Sequence, residues 1–339
     1  MQVLMRIFAA VMKYAYLLLF TFLCFTANAQ VLRKRTTKLM GARWDFTIVA
    51  KDAATAEKNI DTCIAEVSRI ENLISDWIPA TQVSQVNTNA GIKPVKVSPE
   101  VFELAKRALH LSDITVGAFD ISFAAMDRIW KFDGSMTAMP TPEAIKKSVE
   151  KVGYKNIILD SVNSTIYLKL PGMKIGFGAL GEGYAADRCR QMMLARGIKA
   201  GIVNGSGDMS TWGKQPNGKD WTIGITNPAK TTELIKVVAL KQGSVVTSGS
   251  YEKFVEFDGK RYAHIINPKT GYPATGLTSV TVFGPSAEAA NGFSTSMMVL
   301  GKDAALKLIK QFPAYKYLII IDGGQIIASP QLGVKKRRI

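Results

Sequence analysis

Four glycines fall among the nine residues from Ile175 to Gly183, and Tyr184, Ala185, Cys189, Met192, Met193 and Leu194 then recur at helical spacing. The pattern predicts a glycine-rich turn running into a helix over about Gly183 to Arg196. Glycine lets a backbone approach a ligand closely. The first turn of a helix offers unpaired N–H groups and a partial positive charge. Together these suit a phosphate or pyrophosphate, although the same pattern also serves as a plain connector between elements.

The rest of the chain mixes helices and strands without regular βαβ alternation, which points to an α+β fold. Gln30 to Lys38 reads as a basic lead-in, Leu39 to Ala50 as a strand, and Asp52 to Ser75 as a helix with an apolar repeat near 3.6. Ser75 to Asn89 reads as a polar loop around Trp77. Ser98-Pro99 has the look of an N-cap followed by a first-turn proline, opening a helix to about Thr115. A short helix over Thr141 to Val152 precedes short strands at Ile157–Leu159, Thr165–Leu168 and Lys174–Gly176. Further strands include Ala200–Asn204, Ser244–Thr247 and Thr278–Phe283, with a hairpin around Asp258-Gly259. Ala287–Leu300 and Lys302–Gln311 read as helices, and a last strand pair turns at Gly323-Gly324.

The 339 residues suffice for one large domain or two small ones. Residues 1–29 stand apart: Arg6 and Lys13 precede the apolar run Tyr14 to Phe25, and Ala27-Asn-Ala29 offers a small-x-small cleavage site. This is the pattern of a secretory signal peptide, and the run is short for a membrane span. The expected location is outside the cytoplasm, in the periplasm or held at the inner membrane. On cleavage, loss of Arg6 and Lys13 takes the formal charge from +16 to +14. The densest cationic clusters, Arg33 to Lys38 and Lys335 to Arg338, are both terminal, so solvated tails are expected and no nucleic-acid site; contact with an anionic membrane surface stays open. Cys63 and Cys189 sit in apolar helical patterns and read as buried thiols, not as a disulfide framework. The segments are thus a signal peptide at 1–29, a lead-in at 30–38, one domain at 39–330 and a basic tail at 331–339.

Five stretches occur in a telling order: Met40-Gly-Ala-Arg-Trp44, Gly117-Ala-Phe-Asp120, the glycine-rich stretch, Thr247-Ser-Gly-Ser-Tyr251 with His264-Ile-Ile-Asn-Pro-Lys-Thr-Gly-Tyr-Pro273, and Ala290-Asn-Gly-Phe-Ser-Thr-Ser296. In these the chain resembles the ApbE family, the FAD:protein FMN transferases, from about Met40 to Pro330. The resemblance implies a T-fold-like architecture of mixed sheets with packed helices. It also implies FAD as substrate, Mg2+ as cofactor, and an acceptor flavoprotein that receives FMN on a Thr or Ser.

Transfer of FMN needs a hydroxyl to attack phosphorus, a cation to neutralise the pyrophosphate, oxygen ligands if that cation is magnesium, and a base. Asn291 and Thr295 are four apart in a helix and share a face. By resemblance the metal site uses these two, Ser294, and Ala179 through its carbonyl. Asn291 stands where the family usually has Asp. The resemblance gives His264 the catalytic role, a residue type suited to base chemistry near neutral pH; the other histidine, His110, reads as structural. For FAD it points to Met40, Trp77, Ala118, Phe119, Asp120, Gly176, Glu182 and Ile266. Trp77 would stack on a ring, and Asp120 would accept hydrogen bonds from a ring amine or ribose. Gly176 stands where many members have Asp. Three functions follow as alternatives: a flavin transferase, an FAD pyrophosphatase giving FMN and AMP, and an FAD-binding pseudoenzyme that lost its metal acids.

Overall fold

In the computed structural model the stretch expected to be a lead-in is the first strand of the main sheet. The structure describes residues 30–240, 242–251 and 253–334, together with the single residues Met5 and Met12. Apart from Met5 and Met12, the signal peptide read at 1–29 lies outside the described residues, as does the cluster at Lys335 to Arg338. Strand β1 (Val31–Leu39) pairs with β2 (Ala42–Ala50) from Val31 opposite Ala50 to Leu39 opposite Ala42. Met40 and Gly41 join them, both with positive φ (51° and 73°), as tight hairpin turns require. The lysines and arginines hid this strand from a hydropathy reading. They occupy an edge strand, where charge discourages further pairing, and Arg35 also bonds Glu57 and Asp61 on the next helix.

The following elements run α1 (Ala53–Ile74), α2 (Gln82–Thr88), β3 (Val95–Lys96), α3 (Pro99–Ile114), α4 (Pro142–Ser148), β4 (Ile157–Asp160), β5 (Thr165–Leu168) and α5 (Gly178–Ala195). After these come β6 (Ala200–Gly205), β7 (Asp208–Trp212), β8 (Trp221–Asn227), β9 (Lys230–Leu240), β10 (Gly243–Gly249), β11 (Phe254–Phe257) and β12 (Lys260–Ala263). The chain closes with β13 (Leu277–Gly284), α6 (Ala287–Leu300), α7 (Lys302–Ile309), β14 (Lys316–Ile321) and β15 (Ile326–Ala328). Caps fix the helix starts where the sequence put them: Asp52 accepts from the amide of Thr55 at 2.6 Å and Ser98 from that of Val101 at 3.4 Å. The segment read as a polar loop contains α2, whose cap Thr81 accepts from Ser84 N–H at 3.0 Å. Lys174–Gly176 is not a strand. Its backbone is held by a side chain: Asn87 accepts from the amide of Ile175 (2.8 Å) and donates to its carbonyl (2.9 Å).

Eight strands form the main sheet in the order β1-β2-β6-β7-β10-β13-β14-β15. Every strand pair among the described residues is antiparallel; the α+β class holds, while the sheets expected to be mixed are uniform in direction. Side chains alternate between the two faces. Phe46, Ile48, Val203, Val246, Val280 and Ile319 point into the large core shared with α1, α5 and α6. Val49, Ala200 and Trp221 form a cluster apart from that core, and Val245, Leu318 and Ile320 pack with Ile225 and Ile235 of the β8–β9 ribbon. One face is thus roofed by helices and the other by a ribbon. The strand and helix ends between β7, β10, α5 and α6 carry the polar residues considered next.

Candidate active site

The expected glycine-rich turn is itself helical. Helix α5 begins at Gly178 with Phe177 at its N-cap, so Gly181 and Gly183 lie inside it. Their service is close packing. A Cβ on Gly183 would stand 2.7 Å from the backbone of Ala287 at the start of α6, and one on Gly181 would stand 3.0 Å from Ile74 Cδ1. The first turn still does what the sequence implied: Gly178 and Ala179 line a cavity of about 500 Å³, where the uncapped N–H groups of a helix start favour negative charge.

That cavity gathers residues from distant parts of the chain. Ala179 and Glu182 come from α5, and Asn291 and Thr295 from one face of α6. Asp208 comes from the first position of β7, and Thr247 to Gly249 from the end of β10. The turn after α3 contributes Ala118, Phe119 and Asp120, and the segment after β12 contributes His264 and Ile266. Trp77 and Gly176 also line the cavity. Trp77 is 68% exposed with the Arg128 guanidinium 4.1 Å from its ring centre, so it offers a flat, supported face at the rim.

Two expected residues are elsewhere. Met40 packs against α5, its methyl 3.1 Å from where a Cβ on Gly181 would lie, and its amide donates to Glu71 (3.0 Å); it does not line the cavity. Ser294 is fully buried, 2.8 Å from Ser248 Oγ, and donates to the carbonyl of Asn291 at 3.1 Å. One residue before Thr295, it is turned about 100° around the helix toward β10. Asp120 borders the cavity, but its carboxylate is engaged within the turn. One oxygen accepts from the amide and hydroxyl of Ser122 (2.8 and 2.6 Å) and the other from the amide of Tyr154 (2.8 Å). Burial pushes its pKa up, and these bonds oppose the rise. The hydrogen bonds expected to go to a ligand are made inside the protein. His110 is exposed on α3 and does not line the cavity.

Two acidic residues escaped the sequence reading. Asp208 is 5% exposed and accepts a 2.8 Å bond from the Asn291 side-chain amide. Burial, followed by the charge of Glu182, pushes its pKa well up, against the pull of that amide. Glu182 itself is pushed up to about 7 by burial, with Lys253 opposing. Asp208 directly follows the Gly205-Ser-Gly207 turn, yet β7 itself was missed. Asp76 is the second: its Oδ2 lies 3.3 Å from the place of a Cβ on Gly176. A carboxylate therefore occupies the space beside the glycine.

The polar groups form a chain. Asn291 Oδ1 accepts from Thr295 at 3.3 Å, and Thr295 stands 3.4 Å from Ser248 Oγ. Two carboxylates that repel each other, an amide oxygen, a hydroxyl and the Ala179 carbonyl make an all-oxygen donor set, the chemistry of a hard divalent cation. Among the described residues no group of three or more His, Cys, Asp or Glu could hold a metal, so a cation here must draw on these neutral oxygens as well. His264 Nδ1 lies 3.2 Å from the carbonyl of Lys253. A carbonyl only accepts, so in the neutral ring Nδ1 carries the hydrogen and Nε2 the basic lone pair. This site can bind an anion, neutralise it and take up a proton.

A model of the ApbE family matches residues 40–319. The FAD:protein FMN transferase of Klebsiella pneumoniae (strain 342) is 30% identical over 292 residues, covering 84% of this chain and 83% of that one. Its counterpart in Salmonella typhimurium is 30% identical over 301 residues, 87% of this chain and 85% of the other. Among solved structures, the ApbE protein of Thermotoga maritima superposes with a TM-score of 0.81 at 30% identity, over 91% of this chain and all of that one (100%).

Proposed function

The chain belongs to the ApbE family, and from that premise we propose that it transfers FMN from FAD to a protein hydroxyl. The acceptor is a Thr or Ser of a partner protein. The hydroxyl oxygen attacks the phosphorus on the FMN side of the pyrophosphate, and a phosphoester P–O bond forms. The anhydride P–O bond breaks and AMP leaves with the electron pair. The hydroxyl proton goes to His264 Nε2.

The observation that carries this reading is that His264, with its basic nitrogen defined by Lys253, borders the same cavity as Asn291, Thr295, Asp208 and Glu182. The N-terminus of α5 attracts the pyrophosphate, and Trp77 and Phe119 offer apolar faces to the rings. Magnesium fits the donors Ala179 O, Asn291 Oδ1, Thr295 Oγ1, Asp208 and Glu182; when bound it supplies charge neutralisation for the phosphates. The same residues weigh against the pseudoenzyme: Asp208 lies beside Asn291 and Asp76 beside Gly176, so the cavity keeps carboxylates. Export to the periplasm, with the terminal basic clusters near the inner membrane, belongs to the same proposal and is tested by cell fractionation.

The decisive experiment incubates the protein with FAD, magnesium and candidate acceptor proteins, following protein-bound flavin fluorescence and AMP. His264→Ala should slow transfer by roughly 10²–10⁴-fold, the usual worth of a general base, while FAD still binds. Full transfer by the variant would remove His264 from the mechanism. AMP release with no flavin on protein would favour the pyrophosphatase.

A further inference from the structure

His264 stands between two cavities. Beyond it, on the side of Phe132, lies a recess of about 280 Å³ whose apolar wall is Phe123, Met126, Trp130, Phe132 and Ile266, with Asp76, Asp127 and Arg128 also lining it. It shares Asp76, Phe123, Ala124, His264 and Ile266 with the main cavity. Ala179, Glu182, Asp208, Asn291 and Thr295 border only the main cavity. The proposed cation ligands and the helix start thus border the main cavity and not the recess, while Met126, Trp130 and Phe132 border the recess and not the main cavity.

The wall of the recess is built, not incidental. Trp130 donates its indole N–H to the carbonyl of Gly271 (2.9 Å) and stacks on Tyr262 with 5.7 Å between ring centres. Phe132 meets the His264 ring edge-on, 6.4 Å away at 76°. These residues form a small cluster of their own, separate from the main core, in which Phe123, Met126 and Phe132 stay partly exposed. The recess shares Met126, Asp127 and Arg128 with an adjoining depression of about 620 Å³.

We propose that this recess is the acceptor site, and that it takes an extended segment of the partner protein with an apolar side chain two residues from the target hydroxyl. The proposal rests on the transferase reading above and names what that reading leaves open. Phosphoryl transfer requires the attacking and leaving oxygens to be roughly in line. With the pyrophosphate among the oxygen donors and His264 as the base, the recess that shares His264 with the main cavity gives the hydroxyl its approach. The Phe123, Met126, Trp130 and Phe132 side of the recess holds an aliphatic or aromatic side chain, with Asp127 and Arg128 also in the lining. In an extended segment residues i and i+2 point the same way. A hydroxyl aimed at His264 therefore sends the side chain two positions away into the recess, and the adjoining depression leaves room for the segment to continue.

The test uses the full protein, FAD, magnesium and synthetic peptides bearing one threonine, with Leu or Asp two positions on either side. Wild type should label the Leu peptide and neglect the Asp peptide. Phe132→Ala and Met126→Lys should each raise KM for the Leu peptide roughly tenfold or more, as loss of an apolar contact in a specificity site does. FAD affinity and melting temperature should stay near wild type in at least one of the two. Equal labelling of both peptides by wild type would overturn the recess as acceptor site and leave the transferase reading standing. So would a loss of FAD affinity in both variants, which would assign the recess to the flavin ring. Wild type that labels neither peptide nor any protein would overturn the transferase reading, and the acceptor site with it.

Discussion

Asp187 and Asp208 are both 5% exposed and lie in the same layer, between the sheet and helices α5 and α6, yet they live in opposite circumstances. Asp187 is saturated. It accepts from the hydroxyls of Ser210 and Ser286, each at 2.7 Å, and from the amides of Ala287 (2.7 Å) and Glu288 (3.2 Å), with Arg190 at 3.4 Å. It satisfies the start of α6, where an anion is welcome, and ties that helix to α5 and β7. Asp208 has two donors, the Asn291 side chain and the Gly183 amide, and a carboxylate neighbour, Glu182. A buried anion left short of donors is costly, and that shortage is what a cation or a proton can fill. Burial alone does not distinguish scaffold from site here; the count of donors does.

The contrast can be broken in four ways. The largest effect is expected from Asp187→Ala, which leaves the α6 start and Arg190 uncompensated and should cost about 3–5 kcal/mol in urea unfolding. Asp208→Asn should cost no stability, yet lower magnesium affinity by roughly 10–100-fold in calorimetry. Equal destabilisation by the two substitutions would erase the distinction. Asn291→Asp removes the donor to Asp208 and sets two carboxylates together. Without divalent cations it should lose roughly 1–3 kcal/mol, and with magnesium it should bind the ion more tightly than wild type does. An unchanged magnesium affinity would take residue 291 out of the ligand set.

The smallest effect is one of pH. Glu182 titrates near 4.5 when unperturbed and about 7 in the folded chain. As pH rises between these values the unfolded chain gives up the proton first, so stability falls across that window and levels off above it. The metal-free protein should melt a few degrees lower at pH 8 than at pH 5. Glu182→Gln should flatten that dependence, and an unaltered slope would deny Glu182 its shift.

Much of this was legible in the sequence because the signals were local. The repeat from Ala56 to Leu73 marked α1 and the cap Ser98 marked α3, and Asn291 with Thr295 shared a helix face by spacing alone. What escaped depended on partners far along the chain. The cationic β1 is a strand because β2 pairs with it, and Lys174–Gly176 is held without being a strand because Asn87, 88 positions earlier, bonds both backbone groups of Ile175. Asp208 gained its meaning only when Glu182 and Asn291 were brought beside it. Met40 and Ser294 were placed by resemblance, and only packing against α5 and the helix rotation in three dimensions put them elsewhere.

The contact between Gly183 and Ala287 sets a gauge. Glu182 precedes the glycine on one helix, and Asn291 lies one turn beyond Ala287 on the other. The spacing between the two sides of the ligand cluster is therefore fixed by the thickness of a hydrogen atom at a position that touches no substrate. A methyl group there would act as a shim, and its signature would be an enzyme that folds, keeps every catalytic side chain, and holds them at the wrong separation.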